Sequence, residues 1–436
     1  MPDSRSESFD AVVIGTGQAG KPLAHDLAAS GRRTAVIERL HVGGSCINFG
    51  CTPTKTMIAS ARVAHLARRG PQYGVATGEV TVDLERVRAR KRRVVESFRR
   101  SGQKGLEREE GVELIFGHAR LTGPRTVEVE LPDGGRRRLD AGWIFLNTGT
   151  RPKMPKIEGI ETVPTLDNTT VMELGETPEH LAVLGGGYIG LEMGQMFSRF
   201  GAEVTILQQG DRLISREDED VTAEIAAILR GEGIDVRLST STRSVRREGG
   251  GIALEVEGPE GARTVHASHL LVATGRTPNS DDLGLDAAGV ETDERGYVPV
   301  NERLETNVRG IWALGDVNGG PAFTHVSYDD YRVVRDNLLN GGSGSGSGGA
   351  STRGRLVPYT LFTDPQLGRV GLTERQAREA DKRFRVAKLP MTHVARAIET
   401  GETKGFMKAL VEDETGQILG CAILGLEGGE VAAVLQ

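Results

Sequence analysis

The sequence predicts an α/β chain in which a strand–turn–helix–strand unit occurs twice and an α+β segment follows. Three observations carry this. "AVVIGTGQAG" (11–20) is a short β-rich run that breaks directly into Gly15-x-Gly17-x-x-Gly20. "LAVLGGGYIG" (181–190) repeats the pattern as Gly185-x-Gly187-x-x-Gly190. "WIFLNTGTRP" (143–152) and "LLVATGRTP" (270–278) echo each other on either side of that second copy, as hinges would around an inserted domain.

The bounds come from size and charge. The 436 residues suffice for two to four domains. A net charge of −6 gives no general reason to expect nucleic acid or an anionic membrane as partner. The start "MPDSRSESFD" lacks the apolar core of a signal peptide, and no apolar run approaches the roughly 18–20 residues of a bilayer span. A soluble cytoplasmic protein is expected.

In the first unit, the strand "AVVI" leads into the helix-like "KPLAHDLAAS", a stop at Gly31, and a second strand "TAVIE" ending at Glu38. Glycines between strand and helix let a pyrophosphate approach the helix N-terminus, while Glu38 can accept from a ribose hydroxyl. The second unit places Gln208 at the same distance from its first glycine. Both units therefore read as Rossmann-like dinucleotide sites. A carboxylate repels a 2′-phosphate; neutral Gln208 does not, and Arg212 is near enough in sequence to pair with one. NADPH is expected over NADH. Thr148 and Gly149, with Gly275 in the echoing segment, are candidate cofactor contacts. "GIWALGDV" (310–317) ends in Gly315-Asp316, where the carboxylate reads as a ribityl or pyrophosphate contact or as a loop cap.

Two further segments have plain readings. "ERVRARKRRVVESFRR" (85–100) is a basic, solvated helical arm with Val87, Val94, Val95 and Phe98 turned inward, rather than a nucleic-acid patch. "GGSGSGSGGAS" (341–351) is a flexible tether, engineered or natural.

The chemistry concentrates in "GGSCINFGCTPTK" (43–55), which holds two of the three cysteines. Three cysteines cannot make a disulfide framework, so a close pair points to redox or metal chemistry. Cys421, in "ILGCAILG", reads as a small core residue. On an ideal helix Cys46 and Cys51 would not face each other, so pairing needs a non-helical turn, for which "NFG" with Gly50 supplies freedom. Thr52 and Pro53 suit a helix start, placing Cys51 where backbone N–H groups stabilise a thiolate, with Lys55 one turn on. A zinc site needs four ligands, and His41 and His65 have no convincing spacing, so no metal ligands are assigned.

These motifs, with "GGGYIGLE", the two Thr-Gly hinges, "ALGDV" and "VPYTLFTDPQLGRVGLTE", resemble the class I pyridine nucleotide–disulfide oxidoreductases. The resemblance covers nearly the whole chain and is nearest to the mercuric-reductase-like branch, with its reactive-chlorine-resistance flavoproteins. It implies FAD in the first unit and NAD(P)H in the second. It implies an FAD domain at 1–149 that returns at 275–340, an NAD(P) domain at 150–274, a linker at 341–352 and an incomplete interface domain at 353–436. The glycine Gly44 beside the pair joins the FAD contacts. Cys51 would face the flavin and Cys46 the substrate, as a redox-active disulfide. Lys55 and Glu192 match an ion pair beside flavin and nicotinamide, and Tyr188 an aromatic gate over the nicotinamide pocket. Plainer readings of the last two are an exposed helix residue and helix packing. A homodimer is implied.

One departure matters. The family ends in a histidine followed by a glutamate, and no residue here matches that histidine; His393 is in the wrong motif. "GGEVAAVLQ" reads as the first turns of an uncapped helix, so a truncated end and a weakened dimer are expected. Reducing an organic disulfide needs that acid, whereas electron delivery to a metal ion does not. Reduction of a metal ion or small oxidant is therefore expected. Dihydrolipoamide dehydrogenase is the alternative within the class, and a redox-sensing flavoprotein without turnover the alternative outside it.

Overall fold

The structure, a computed structural model of the chain, describes residues 6–341 and 349–436. Most of the Gly/Ser tether expected at 341–352 lies outside the described residues. Two compact units share the chain. The first combines Met1–Pro53, Arg92–Arg151 and Arg276–Arg355; the second combines Thr54–Lys91, Pro152–Gly275 and Leu356–Gln436.

The first unit is built on a seven-stranded sheet. Strands Glu7–Ile14, Thr34–Glu38 and Val112–Phe116 run parallel, and Glu7–Ile14 also pairs in parallel with Arg136–Leu146. That last strand turns antiparallel against Thr126–Glu130 over its first half, then takes Ile311–Ala313 alongside its end. Side chains alternate between faces with period two, so each strand feeds two cores. Ala11 and Val13 pack with Leu23 and Leu27 of helix Gly20–Ala29 and Val334 of helix Thr324–Leu339. Val12 and Ile14 pack on the opposite side with Leu283, Val298 and Val317. Gly31, with φ +84°, ends the first helix where the sequence places its stop.

The second unit repeats the logic. Strands His180–Leu184, Glu203–Leu207, Asp235–Arg237, His269–Val272 and Thr165–Leu166 form a parallel five-stranded sheet. Leu181 and Val183 meet Leu191 and Phe197 of helix Tyr188–Phe200 on one face. Ala182 and Leu184 meet Leu254 and Val256 of a three-stranded antiparallel sheet on the other. Each fully buried aliphatic side chain contributes about 1.5–3 kcal/mol. Residues from 359 onward form an antiparallel five-stranded sheet, in which Cys421 is fully buried as expected.

The basic arm is a helix, Leu84–Arg108, but its inward face differs from the reading. Phe98 is exposed, while Lys91 is buried against Glu173. Val95 is buried, Val87 packs against the second unit's core, and Val94 is half-buried. A lysine with a carboxylate partner can take an inward position that an apolar residue would otherwise fill. No helix among the described residues is long and apolar enough to cross a membrane.

Candidate active site

The first glycine turn closes on Asn147, a residue the sequence reading passed over. A Cβ on Gly15 would stand 2.4 Å from the Asn147 carbonyl, and one on Gly17 2.6 Å from Asn147 Oδ1. Gly20 packs on the Gly15 carbonyl in the same way, at 2.3 Å. The Gly20 N–H donates to Asn147 Oδ1 at 2.9 Å, and Asn147 Nδ2 donates to the Leu314 carbonyl at 2.7 Å. Helix Gly20–Ala29 then begins with no side-chain cap and no acid in its first turn. Helix Glu374–Glu379, by contrast, is closed by a Thr373–Gln376 capping box. A glycine cradle at the N-terminus of a helix with no acid in its first turn fits a pyrophosphate.

Glu38 ends its strand nearly buried and faces this turn. Its carboxylate accepts from Thr16 N at 3.2 Å and from Leu40 N at 2.9 Å, and the Thr16 hydroxyl also donates to it. Gly44 sits at φ +64°, where a Cβ would come within 2.7 Å of Gly17 Cα. The cysteine segment is thus pressed against the turn. Further on, Thr148 Oγ1 donates to the Asn279 carbonyl at 2.8 Å, and the Asn279 N–H donates to Gly149 O at 3.0 Å. Gly315 N–H donates to Asp330 at 2.8 Å, and Asp316 accepts from the Thr150 hydroxyl at 3.1 Å.

The thiols meet as free sulfhydryls, Cys46 half-buried and Cys51 exposed. A short helix, Gly44–Asn48, carries Cys46; the chain breaks at Phe49–Gly50, and Cys51 opens helix Cys51–Arg69. The break brings the two side chains into hydrogen-bonding contact. Gly50 contributes space rather than a left-handed φ, since its Cβ would press on Ser45 O at 3.0 Å and Cys46 Cα at 3.4 Å. The Thr324 hydroxyl, on the first residue of helix Thr324–Leu339, lies 3.2 Å from Cys51 Sγ and also hydrogen-bonds Cys46. The hydrogen bond to Cys51, burial and the neighbouring sulfur's charge together hold the Cys46 thiol above the ordinary range, with Thr324 acting the other way. Sequence gives no signal for Thr324, which lies far along the chain.

The second glycine turn parallels the first. A Cβ on Gly185 would stand 2.5 Å from Ala273 O, and one on Gly190 2.0 Å from Gly185 O. Gly187 caps helix Tyr188–Phe200 without a side-chain bond. Gln208 Oε1 accepts from Gly186 N at 2.8 Å, the counterpart of Glu38 and Thr16 N. Ala273 stands where Asn147 stands in the first turn. Gly275, at φ +140°, ends the echoing segment. Arg212 Nε is buried and makes no hydrogen bond among the described residues, its nearest acid being Asp211 at 3.6 Å.

Lys55 and Glu192, also in the second unit, form an ion pair of 2.6 Å. Glu192 is buried; its other oxygen accepts from Phe362 N at 2.9 Å, and Lys55 lies 4.6 Å over the Phe362 ring. Tyr188 stacks edge-on to Tyr359 with ring centres 5.7 Å apart, and their hydroxyls hydrogen-bond. Burial and the Glu217 charge push the Tyr188 phenol up to about 12. Elsewhere in this unit Asp218, Asp220 and Glu374 converge as a cation site would, but the Lys408 ammonium sits among them, 3.2 Å from Asp218 and 2.9 Å from Asp220.

Residues 9–330 match the model of the pyridine nucleotide-disulphide oxidoreductase family, and residues 357–436 match its dimerisation domain. The chain belongs to this family. It is an oxidoreductase, and the family uses FAD and NAD(P)H. The two glycine cradles, each at a helix N-terminus without an acid in its first turn, fit those cofactors. The chain is 38% identical to a probable pyridine nucleotide-disulfide oxidoreductase RclA of Escherichia coli (98% of this chain, 92% of that protein). It is equally 38% identical to a mercuric reductase of Streptomyces lividans (97% and 88%). A solved Cu(II) complex of the HOCl-induced flavoprotein disulfide reductase RclA superposes with a TM-score of 0.89 at 37% identity, over 98% of this chain and 92% of that one. The oxidoreductase fold and its mixed α/β architecture thus agree with the sequence reading.

Proposed function

We propose that Cys46 and Cys51 relay electrons from NADPH to a thiophilic metal ion or another small oxidant. The observation that carries this is the contact between two free thiols, one half-buried and one exposed, at a helix start beside the Thr324 hydroxyl. Adjacent sulfurs offer a soft ion a two-point grip that a single thiol does not.

In this reading residues 1–149 and 275–340 bind FAD, residues 150–274 bind the nucleotide, and residues 353–436 form the interface of a homodimer in the cytoplasm. Bound FAD supplies hydride acceptance from the nicotinamide and two-electron delivery to the sulfur pair. Gly15, Gly17, Gly20 and Gly44 shape the cradle; Glu38 takes ribose hydroxyls, and Thr148, Gly149, Gly315 and Asp316 complete the first site. Gly185, Gly187, Gly190 and Gly275 shape the second. Gln208 and the Arg212 guanidinium, whose Nε makes no hydrogen bond among the described residues, favour a 2′-phosphate. Lys55 and Glu192 fix charge for the nicotinamide, over which Tyr188 acts as gate.

The reduced pair gives up two electrons and two protons as its S–S bond forms. Two Cu(II) ions take one electron each, or one Hg(II) takes both. Cys46 is the interchange thiol, and Cys51 is the flavin-facing one.

The test uses the FAD-loaded protein with NADPH and four acceptors: Cu(II), Hg(II), glutathione disulfide and lipoamide. Metal-dependent NADPH oxidation that is lost in Cys46→Ser and Cys51→Ser is expected. Robust disulfide turnover with none on either metal overturns the proposal. Flavin reduction that then stalls on every acceptor identifies a sensor instead.

A further inference from the structure

Tyr188 does not stand alone at the start of its helix. Its hydroxyl meets that of Tyr359, on strand Tyr359–Leu361, and the Tyr359 hydroxyl donates to Glu217. Glu217 has no exposed side-chain surface and is fixed from its other oxygen by Arg369, at 3.0 Å from Nε and 2.6 Å from Nη2. Arg369 is itself held by Asp218 at 3.1 Å.

Proton counting gives this chain a direction. An ionised carboxylate only accepts, so the single Tyr359 proton goes to Glu217, and Tyr359 is left as an acceptor. The Tyr188 proton therefore points at Tyr359. Both rings are half-buried, and with both phenols pushed up neither ionises at neutral pH. Turning Tyr188 aside breaks a hydrogen bond whose far end is anchored by a buried ion pair.

We propose that Tyr359 and Glu217 are positioning residues that latch Tyr188 in one orientation and so set the affinity for the nicotinamide nucleotide. The inference rests on the reading of Tyr188 as the ring over the nicotinamide pocket, which the nucleotide must displace. Nucleotide binding then bears the cost of releasing the latch. Tyr359 came from a segment that the sequence assigned only to a C-terminal fold, and Glu217 from a loop without a motif.

The test measures the NADP+ dissociation constant of the FAD-loaded protein by calorimetry, beside KM for NADPH. Tyr359→Phe and Tyr188→Phe each remove the same hydrogen bond from opposite ends and keep the stacked rings. Each is expected to lower both constants about fivefold, the net worth of one such bond. The double variant is expected to show no further change. Because Tyr188→Phe leaves the Tyr359–Glu217 bond intact, it serves if Tyr359→Phe folds poorly. A lower melting temperature with unchanged Kd, or additive effects in the double variant, overturns the latch. Tyr188→Ala separates the two ideas. If it leaves both constants unchanged, the gate reading itself fails; if it shifts them and neither Phe variant does, the latch alone fails.

Discussion

The Thr324 hydroxyl lies 3.2 Å from the sulfur of Cys51, and it also bonds Cys46. A hydroxyl stabilises a thiolate far more than it stabilises a disulfide sulfur, so Thr324 favours the reduced pair. Replacing it with valine should make the pair a stronger reductant. A charge-assisted bond of roughly 1.5–3 kcal/mol corresponds to a fall of about 30–60 mV for a two-electron couple. Mass-spectrometric titration in thiol redox buffers reads the shift, and Thr324→Ser should restore it.

Cys46 should react slowly with iodoacetamide through neutral and mildly alkaline pH. Its raised thiol keeps the nucleophilic thiolate scarce there, and the Cys51 hydrogen bond is the largest cause. Cys51→Ala removes that bond and the neighbouring charge, so Cys46 alkylation should begin at lower pH. Peptide mapping across pH 6–10 checks this; an unchanged profile would leave burial as the whole cause.

Asn147 bonds both the first glycine turn and Leu314 from a buried position. Asn147→Ala strands a donor and an acceptor, each costing about 1–3 kcal/mol. The expected outcome is a clear drop in melting temperature with faster loss of FAD, read from the flavin absorbance retained after gel filtration.

Gln208→Glu keeps an acceptor for Gly186 N but adds a negative charge. It should raise KM for NADPH about tenfold relative to NADH, and Arg212→Ala should move the ratio the same way. Steady-state comparison of the two nucleotides decides it, and an unchanged ratio removes the basis for the NADPH assignment.

Lys408 is fully buried between Asp218, Asp220 and Glu374. Burial works against the Asp220 charge, yet hydrogen bonds from Lys388 and Lys408 outweigh it and hold the carboxyl below its usual range. A lowered folded value means stabilisation that is present above the unfolded pKa and lost as pH falls through the folded one. Lys408→Met removes the shared cation and leaves Asp218, Asp220 and Glu374 with one partner each, Arg369, Lys388 and Arg378, so the loss at neutral pH should stay below the roughly 3–5 kcal/mol of a buried charge left with no partner. Chemical denaturation should show the gap to the parent protein narrowing in acid.

The sequence by itself determined what local pattern determines. Strand-to-helix glycines at Gly15 and Gly185, the stop at Gly31 and the helix start at Cys51 all follow from backbone sterics within a few residues. The spacing of Glu38 and Gln208 likewise fixed which residue faces each turn. Other features required the fold. Asn147 bonds Gly20 across 127 positions and Thr324 meets Cys51 across 273, distances over which no periodicity carries information. The partners of Tyr188 were hidden for the same reason. Phe98 is exposed and Lys91 is buried against Glu173 because an inward or outward position depends on what packs opposite, which the helix's own spacing does not carry. Conformational constraints are written locally in the chain, whereas which side chains meet is decided only when distant segments pack together.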